Sequence, residues 1–375
     1  MNGFGEDKKE EMKMRVIHCA DLHLDSNLLT NLDVQKSKER NLELLENFQE
    51  MIAYAEEQGV KAVLISGDLF DTSEPSETTK RAVLKMVEEH PKIFFFYLRG
   101  NHDRDVIIGD VLPANFITFD DCWKHYVCGS VTISGVECQG DSLRYTEEPE
   151  FPKERVNIIM LHGMVVETME CKSEDDKVFI NRFKNKNIDY VALGHFHGYR
   201  KNRLDERGVY CYSGCLEGRG FDECGQKGFV LLDIDEEYCR VNSRFVPFGK
   251  RQLFELPVNV QECMTSIEMA RCIDSQLEVS GAEKEDLVKV RLVGSIDVEC
   301  EKNLRYLKHK FENDFYCFKI EDHTVIHVDY SDYVIDETLK GEFVRMIHHA
   351  DIPQEDKAEI IRYGILALAG EELAE

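Results

Sequence analysis

The chain has 375 residues and a mass of 43.4 kDa, with 46 Lys and Arg against 72 Asp and Glu, a formal net charge of −26. Its 43% hydrophobic residues and eight prolines exclude wholesale disorder and a long Pro-rich linker, and its length suits one large domain plus a smaller one. The acidity argues against a protein that grips nucleic acid through a broad basic surface, but not against a pocket made positive by bound cations.

Taken from the N-terminus, the stretch MNGFGEDKKEEMKMR is charged where a signal peptide would be apolar. No later run approaches the roughly 18 apolar residues of a membrane span, so no membrane contact is expected and the expected location is the cytoplasm. Five short apolar runs then follow: Val16 to Ala20, Ala62 to Ile65, Ile93 to Leu98, Val156 to Leu161 and Tyr190 to Leu193. Their length and their β-branched and aromatic content predict strands. Between the first two, Leu42, Leu45, Phe48, Met51, Ile52 and Ala55 recur at helical spacing within 35–57, and a second helix is predicted over 77–89. Apolar strands alternating with amphipathic helices predict a buried sheet covered by helices.

Beyond Arg200, hairpin-like strands near Val209 to Tyr212, Gly228 to Ile234 and Arg240 to Val246 predict a second sheet that completes a first domain over 14–250. Residues 251–375 read as a smaller α/β domain: a strand from about Phe254, a helix over 266–277, a strand over 287–293, a helix over 304–313, a strand over 317–321 and a helical tail from Thr338. This part carries 14 basic and 27 acidic residues, half the net charge in a third of the length. The apolar positions of the tail, among them Phe343, Met346 and Ile361, read as core or as a subunit contact, which would make a homodimer. Thirteen cysteines without a C-x-x-C pair fit reduced thiols, and Cys211, Cys215 and Cys224 read as packing or loop residues.

Chemistry gathers where the five apolar runs end. The first leads into Asp21-Leu22-His23, the second into Gly67-Asp68-Leu69-Phe70-Asp71 and the third into Gly100-Asn101-His102-Asp103. The fourth leads into His162-Gly163 and the fifth into Gly194-His195-Phe196-His197. Loops leaving the carboxyl ends of neighbouring strands converge, so these side chains are expected to share one site. Asp21, His23, Asp68, Asn101, His162, His195 and His197 offer oxygen and imidazole nitrogen and no thiolate, which favours manganese, iron or zinc. Seven donors exceed what one tetrahedral ion needs and suit two divalent ions sharing a carboxylate. Four positive charges against two aspartates and a hydroxide leave a pocket that wants an anion, and a phosphate ester attacked by metal-bound hydroxide fits. His102 is left over as a transition-state donor or leaving-group acid, with Asp103 beside it to orient it. His18, inside the first strand, reads as a packed core histidine. Asp25 and Asp71 read equally as turn-forming groups or as supports behind the ligands.

In this order, D-x-H, G-D-x-x-D, G-N-H-D, H and G-H-x-H resemble the signature of the calcineurin-like metallophosphoesterase superfamily. Within the match, A-D-L-H-L-D at 20–25, G-D-L-F-D at 67–71, Tyr212-Ser213-Gly214, E-G-R-G-F-D-E at 217–223 and Lys227-Gly228 are most similar to the nuclease subunit of SbcCD-type DNA repair complexes. The resemblance implies an α/β fold, a two-sheet αββα sandwich with a smaller C-terminal α/β domain that caps the site and helps select DNA ends. It also implies that Asp21, His23 and His197 bind one ion and Asn101, His162 and His195 the other, with Asp68 bridging and His102 catalytic. The partners it implies are DNA and a coiled-coil ATPase. Two functions therefore stand from the sequence: a manganese-dependent DNA exonuclease or endonuclease, and a phosphodiesterase or phosphatase for a small nucleotide or phosphoprotein, which the net charge favours. A non-catalytic, metal-scaffolded binding subunit is a third, opposed by the presence of His102 beside every ligand.

Overall fold

The computed structural model describes residues 13–28, 32–137, 149–167 and 176–369; most of the charged N-terminal stretch lies outside them. The chain divides into two compact units, Met1–Lys250 and Arg251–Glu375.

In the first unit, β1 (Lys13–Cys19), β2 (Ala62–Ser66) and β3 (Phe94–Leu98) are parallel neighbours connected through α1 (Val34–Glu57) and α2 (Glu77–Glu89). The helices start where local chemistry allows: the Asp33 carboxylate accepts from the amides of Gln35 and Lys36, and the Ser76 hydroxyl from that of Thr79. The chain continues through β4 (Phe116–Thr118), β5 (Lys124–Cys128), β6 (Val131–Gly135), β7 (Val156–His162), β8 (Met164–Val166), β9 (Lys177–Phe179), β10 (Tyr190–Gly194), β11 (Arg200–Arg203), β12 (Val209–Tyr212), β13 (Gly228–Asp235) and β14 (Arg240–Pro247). Among the described residues these strands build two six-stranded sheets, in the orders β14-β13-β1-β2-β3-β4 and β11-β12-β10-β7-β6-β5, and β8 and β9 form a separate parallel pair.

Two expectations change here. The five apolar runs do not lie in one sheet, because β1, β2 and β3 belong to the first and β7 and β10 to the second. Nor do β13 and β14 build the second sheet: they pair antiparallel onto β1 and extend the first.

Alternation along the strands explains the layering. Val16, Leu64, Phe96 and Leu232 face Ile158, Met160 and Ala192 between the sheets. Ile17, Val63, Ile65 and Phe95 face the other way, onto Phe48, Met51, Ile52, Val83 and Val87 of the helices. The far side of the second sheet packs Ile159, Leu161, Val191 and Leu193 against Phe151, Val178, Ile180 and Phe183. His18 is fully buried between the sheets, Nδ1 2.9 Å from the Tyr190 hydroxyl, and burial holds its pKa down near 3.

A buried ion network fastens α1 to the segment after β12. Arg40, 1% exposed, donates to Glu43, to Glu217 and to the Gly218 carbonyl at 2.5, 2.9 and 2.7 Å. Asn47 adds a 3.0 Å bond to Glu217. Arg40→Met keeps most of the volume but takes the guanidinium away from two buried carboxylates, which typically costs about 3–5 kcal/mol. Urea denaturation is expected to show a matching drop in midpoint, and an unchanged midpoint would mean that the network is not needed for stability.

The second unit is a parallel sheet of β15 (Leu253–Asn259), β16 (Leu287–Asp297) and β17 (Cys317–His327), crossed by α3 (Ser266–Ser280) and α4 (Leu304–Phe311). Met269, Ala270, Ile273, Leu307 and Phe311 of the helices pack on Val288, Val290 and Leu292. The C-terminal tail is two helices, α5 (Leu339–His349) and α6 (Gln354–Ala369), with Pro353 in the break. Val344, Ile361 and Ile365 are buried together, so these tail positions are core, while Met346 is exposed.

Candidate metal centre

All the motif residues stand at strand ends. His162 closes β7 in register with Gly194 of β10, and the Asp21, Asp68 and Asn101 loops leave β1, β2 and β3. Hydrogen bonds tie these loops together at this edge, two of them from sheet to sheet. The His195 amide donates to the Asp21 carboxylate at 2.8 Å, the Asp21 amide to the Gly67 carbonyl at 3.0 Å, and Nδ1 of His162 reaches the Ser66 carbonyl at 2.9 Å.

The backbone is bent to achieve this. Asp21, His23, Asp68 and His195 have φ of 52°, 46°, 49° and 99°, a region that side-chain-bearing residues avoid at about 1–3 kcal/mol each. Gly67 and Gly100 leave room for the ligands. A Cβ on Gly67, itself at φ 95°, would lie 1.9 Å from Nδ1 of His162, and one on Gly100 would lie 2.2 Å from Oδ1 of Asp68.

Two groups of donor atoms result. In the first, Nε2 of His23 and Nε2 of His197 face each other at 3.1 Å, with Asp21 close enough to share a cation with both. In the second, Nε2 of His162 lies 2.9 Å from Oδ1 of Asn101 and 3.3 Å from Oδ2 of Asp68, while Nδ1 of His195 lies 3.1 Å from the same Asn101 oxygen. Oδ2 of Asp68 is also 3.9 Å from Nε2 of His23, so this one oxygen faces both groups. Its partner Oδ1 accepts from the His102 amide at 2.9 Å.

The other ring nitrogens decide what these atoms are. Nδ1 of His23 is 2.9 Å from Asp71, Nδ1 of His197 is 2.7 Å from Glu223, and Nδ1 of His162 meets a carbonyl. Glu223 and the Ser66 carbonyl accept hydrogen bonds from Nδ1 of His197 and His162, which leaves the lone pair on Nε2, and the Asp71 charge beside Nδ1 of His23 favours the same tautomer there. Lone pairs that face one another, and carboxylate and amide oxygens besides, repel unless a proton or a cation lies between them. The donor set is therefore shaped for cations, and its nitrogen and oxygen chemistry suits borderline or hard divalent ions.

Charge follows the same logic. Burial raises the Asp21 pKa to about 6, against the pull of His162. Burial would also raise that of Asp68, but His162 and His23 hold it below the ordinary carboxylate range. His162 resists the lowering effect of burial because Asp68 and Asp21 flank it, and it is pushed up to about 10. Protons thus occupy the ground that metal charge would neutralise.

His102 belongs to neither of these two groups, though its ring forms a third cluster of donor atoms with His23 and Asp71, all within 4.8 Å of one another. Its ring is exposed and packs edge-on against His23 at 4.8 Å, with Nδ1 3.0 Å from the Asp71 carbonyl and 3.9 Å from the Asp71 carboxylate. Asp103 does not orient it. The Asp103 carboxylate is wholly buried, accepting from the Tyr97 hydroxyl at 2.6 Å and from the Gly100 and Phe70 amides at 2.7 and 3.2 Å. It shapes the loop, and Asp71 takes the place behind His102 that adjacency had suggested for Asp103. Asp25 is a turn residue, accepting from the Ser76 amide at 2.7 Å.

Glu223 and Arg219, both in the 217–223 motif, had no role assigned from the sequence. Glu223 supports His197, and Arg219 contacts both Glu223 and Asp71. Their signal was two charged residues held within a Gly-rich segment, but nothing local says which histidine they meet.

The calcineurin-like phosphoesterase family matches residues 14–199. The DNA double-strand break repair protein Mre11 of Sulfolobus acidocaldarius is 24% identical over 359 residues, covering 88% of this chain and 91% of that protein. Its namesake in Methanopyrus kandleri is 23% identical, covering 92% and 81%, and that of Thermoplasma acidophilum is 26% identical, covering 76% and 78%. Among the described residues no helix is long and apolar enough to cross a membrane. The chain carries a calcineurin-like metallophosphoesterase domain, is related at low identity to Mre11-type proteins, and is a metal-dependent phosphoesterase.

Proposed function

We propose that the chain is a two-metal DNA nuclease of the DNA repair type, an exonuclease or endonuclease that hydrolyses the phosphodiester bond. The observation that carries this is the pair of donor groups around Asp68 with an exposed histidine, His102, beside them and outside both. Relatives named for double-strand break repair match along both units, which supports DNA as the substrate and partner. An ATPase partner and a homodimer belong to the same reading.

Asp21, His23 and His197 would hold one ion and Asn101, His162 and His195 the other, with Asp68 between. Manganese is the ion we favour, iron or zinc the alternatives. When bound, two such ions supply charge stabilisation to the phosphoryl oxygens and acidify a water. The chain supplies the rest. Buried Asp21 and Asp68 set the charge of the pocket. His102, held through Nδ1 at the Asp71 carbonyl, is left with Nε2 to carry a proton to the leaving oxygen.

The net charge of −26 supports a second reading, a phosphodiesterase for small nucleotides. Labelled single- and double-stranded DNA, a bis-nitrophenyl phosphate and a nitrophenyl phosphate, each incubated with the manganese-loaded chain, separate the two. Cleavage of DNA supports the nuclease. Hydrolysis of the small esters with DNA left intact contradicts it.

A further inference from the structure

We propose that Arg219 is a positioning residue for one half of the metal centre, its single guanidinium tying Asp71 to Glu223 and thereby fixing the rings of His23 and His197. The proposal rests on the assignment of those two histidines to a common ion. Nη1 of Arg219 donates to Oδ1 of Asp71 at 2.6 Å, and Nη2 and Nε donate to Oε1 of Glu223 at 2.8 and 3.2 Å. The same two oxygens face the histidines: Oδ1 of Asp71 lies 2.9 Å from Nδ1 of His23, and Oε1 of Glu223 lies 2.7 Å from Nδ1 of His197. Oε1 of Glu223 is thus bonded by both the guanidinium and an imidazole, while Oδ1 of Asp71 is bonded by the guanidinium and in ion-pair contact with the other imidazole.

This sharing has two consequences. Asp71 and Glu223 come from loops 152 positions apart in sequence, and as two carboxylates they would push apart without the cation between them. If they separated, the rings would follow, and the two Nε2 atoms would lose their 3.1 Å approach. The guanidinium also draws on the charge of both oxygens and moderates how electron-rich Nε2 becomes, a smaller effect that opposes the first, so the net loss on its removal comes from displacement of the rings. The fork geometry matters, since a lysine ammonium is a point charge and does not match two carboxylates in the same way.

Arg219 is itself anchored. Its own amide donates to Oε2 of Glu223 at 2.7 Å, and Glu217, two residues earlier, is held by buried Arg40. The other donor group has a different support: His162 leans on the Ser66 carbonyl, a strand-end backbone group. The effect of Arg219 is therefore confined to one ion.

The test uses the full chain, stripped with a chelator and titrated with manganese, comparing the wild type with Arg219→Ala, Arg219→Lys and His197→Ala. Calorimetry and elemental analysis report each ion, and electron paramagnetic resonance distinguishes a coupled manganese pair from an isolated ion. Arg219→Ala is expected to weaken one ion by about 10- to 100-fold, the usual effect of losing a group behind a ligand, while the other ion keeps its affinity. At manganese levels that fill only the stronger site, the coupled signal should give way to the six-line spectrum of an isolated ion. Arg219→Lys should fall between alanine and wild type, and it carries the test alone if the alanine variant does not fold. Two ions at wild-type affinity in both Arg219 variants, or equal weakening of both ions, would overturn the proposal. A His197→Ala chain that keeps both ions at full strength would instead overturn the ligand assignment beneath it.

Discussion

Replacing His102 with alanine is expected to lower turnover on DNA by roughly 10²- to 10⁴-fold, the usual worth of a positioned acid, while metal content and substrate binding stay nearly intact. The expectation follows from where the ring sits. It lies outside the two groups that hold Asp21 and Asp68, exposed, and within 4.8 Å of donor atoms on His23 and Asp71, with Nδ1 at a carbonyl and Nε2 left for the substrate. Its backbone amide, which holds Oδ1 of Asp68, survives the substitution, so the shared carboxylate should not move. The size of the loss should depend on the leaving group. A nitrophenyl ester departs as a stabilised anion and needs little protonation, so its hydrolysis should suffer far less than that of DNA, whose alkoxide is a poor leaving group. Metal analysis and paired kinetics on the two substrates check this. A variant that loses metal would make His102 a ligand, and full activity on DNA would put the acid elsewhere.

Asp68→Asn is expected to weaken both ions, each by at least the roughly 100-fold upper end of what losing an outer supporting group costs. The substitution keeps the shape of the side chain. With the amide oxygen in place of Oδ1, the bond from the His102 amide remains, and the new NH₂ points where Oδ2 faced His162 and His23. Those hydrogens can satisfy the His162 lone pair, so the protein should fold, but they occupy the ground of a cation and bring no negative charge. His23→Ala, by contrast, removes a donor from one group only. Manganese titration of the two variants should show a double loss for Asp68→Asn and a single loss for His23→Ala. Equal single losses would mean that Asp68 is not shared.

The candidate site was more legible in the sequence than the sheets that carry it. Asp21, Asp68, Asn101, His162 and His195 each follow a short apolar run, and parallel strand ends bring such residues together whichever sheet they belong to. The division into two sheets was not legible, because the strands of a sandwich and those of a single helix-covered sheet are both buried on two faces. The β13–β14 hairpin could be seen, but not its partner, since pairing with β1 is decided by residues some 200 positions away. Extension of β17 to His327 also escaped, for its last half is largely exposed and polar, as in Glu321, Asp322 and His323. Asp103 shows the limit of adjacency. Next to His102 in sequence, it turns inward to Tyr97 while the histidine turns out, so the support came from Asp71 instead. Arg219 and Glu223 were visible as a motif, and only the folded chain shows the histidines they serve.

The measurement that tests the central claim most directly is an anomalous-scattering map from a crystal of the chain grown with manganese. Two peaks per chain are expected, about 3.5–4 Å apart. One should lie among Asp21, His23 and His197, the other among Asn101, His162 and His195, with the Asp68 carboxylate against both. A single peak, or a pair that leaves Asp68 untouched, would contradict the two-metal centre.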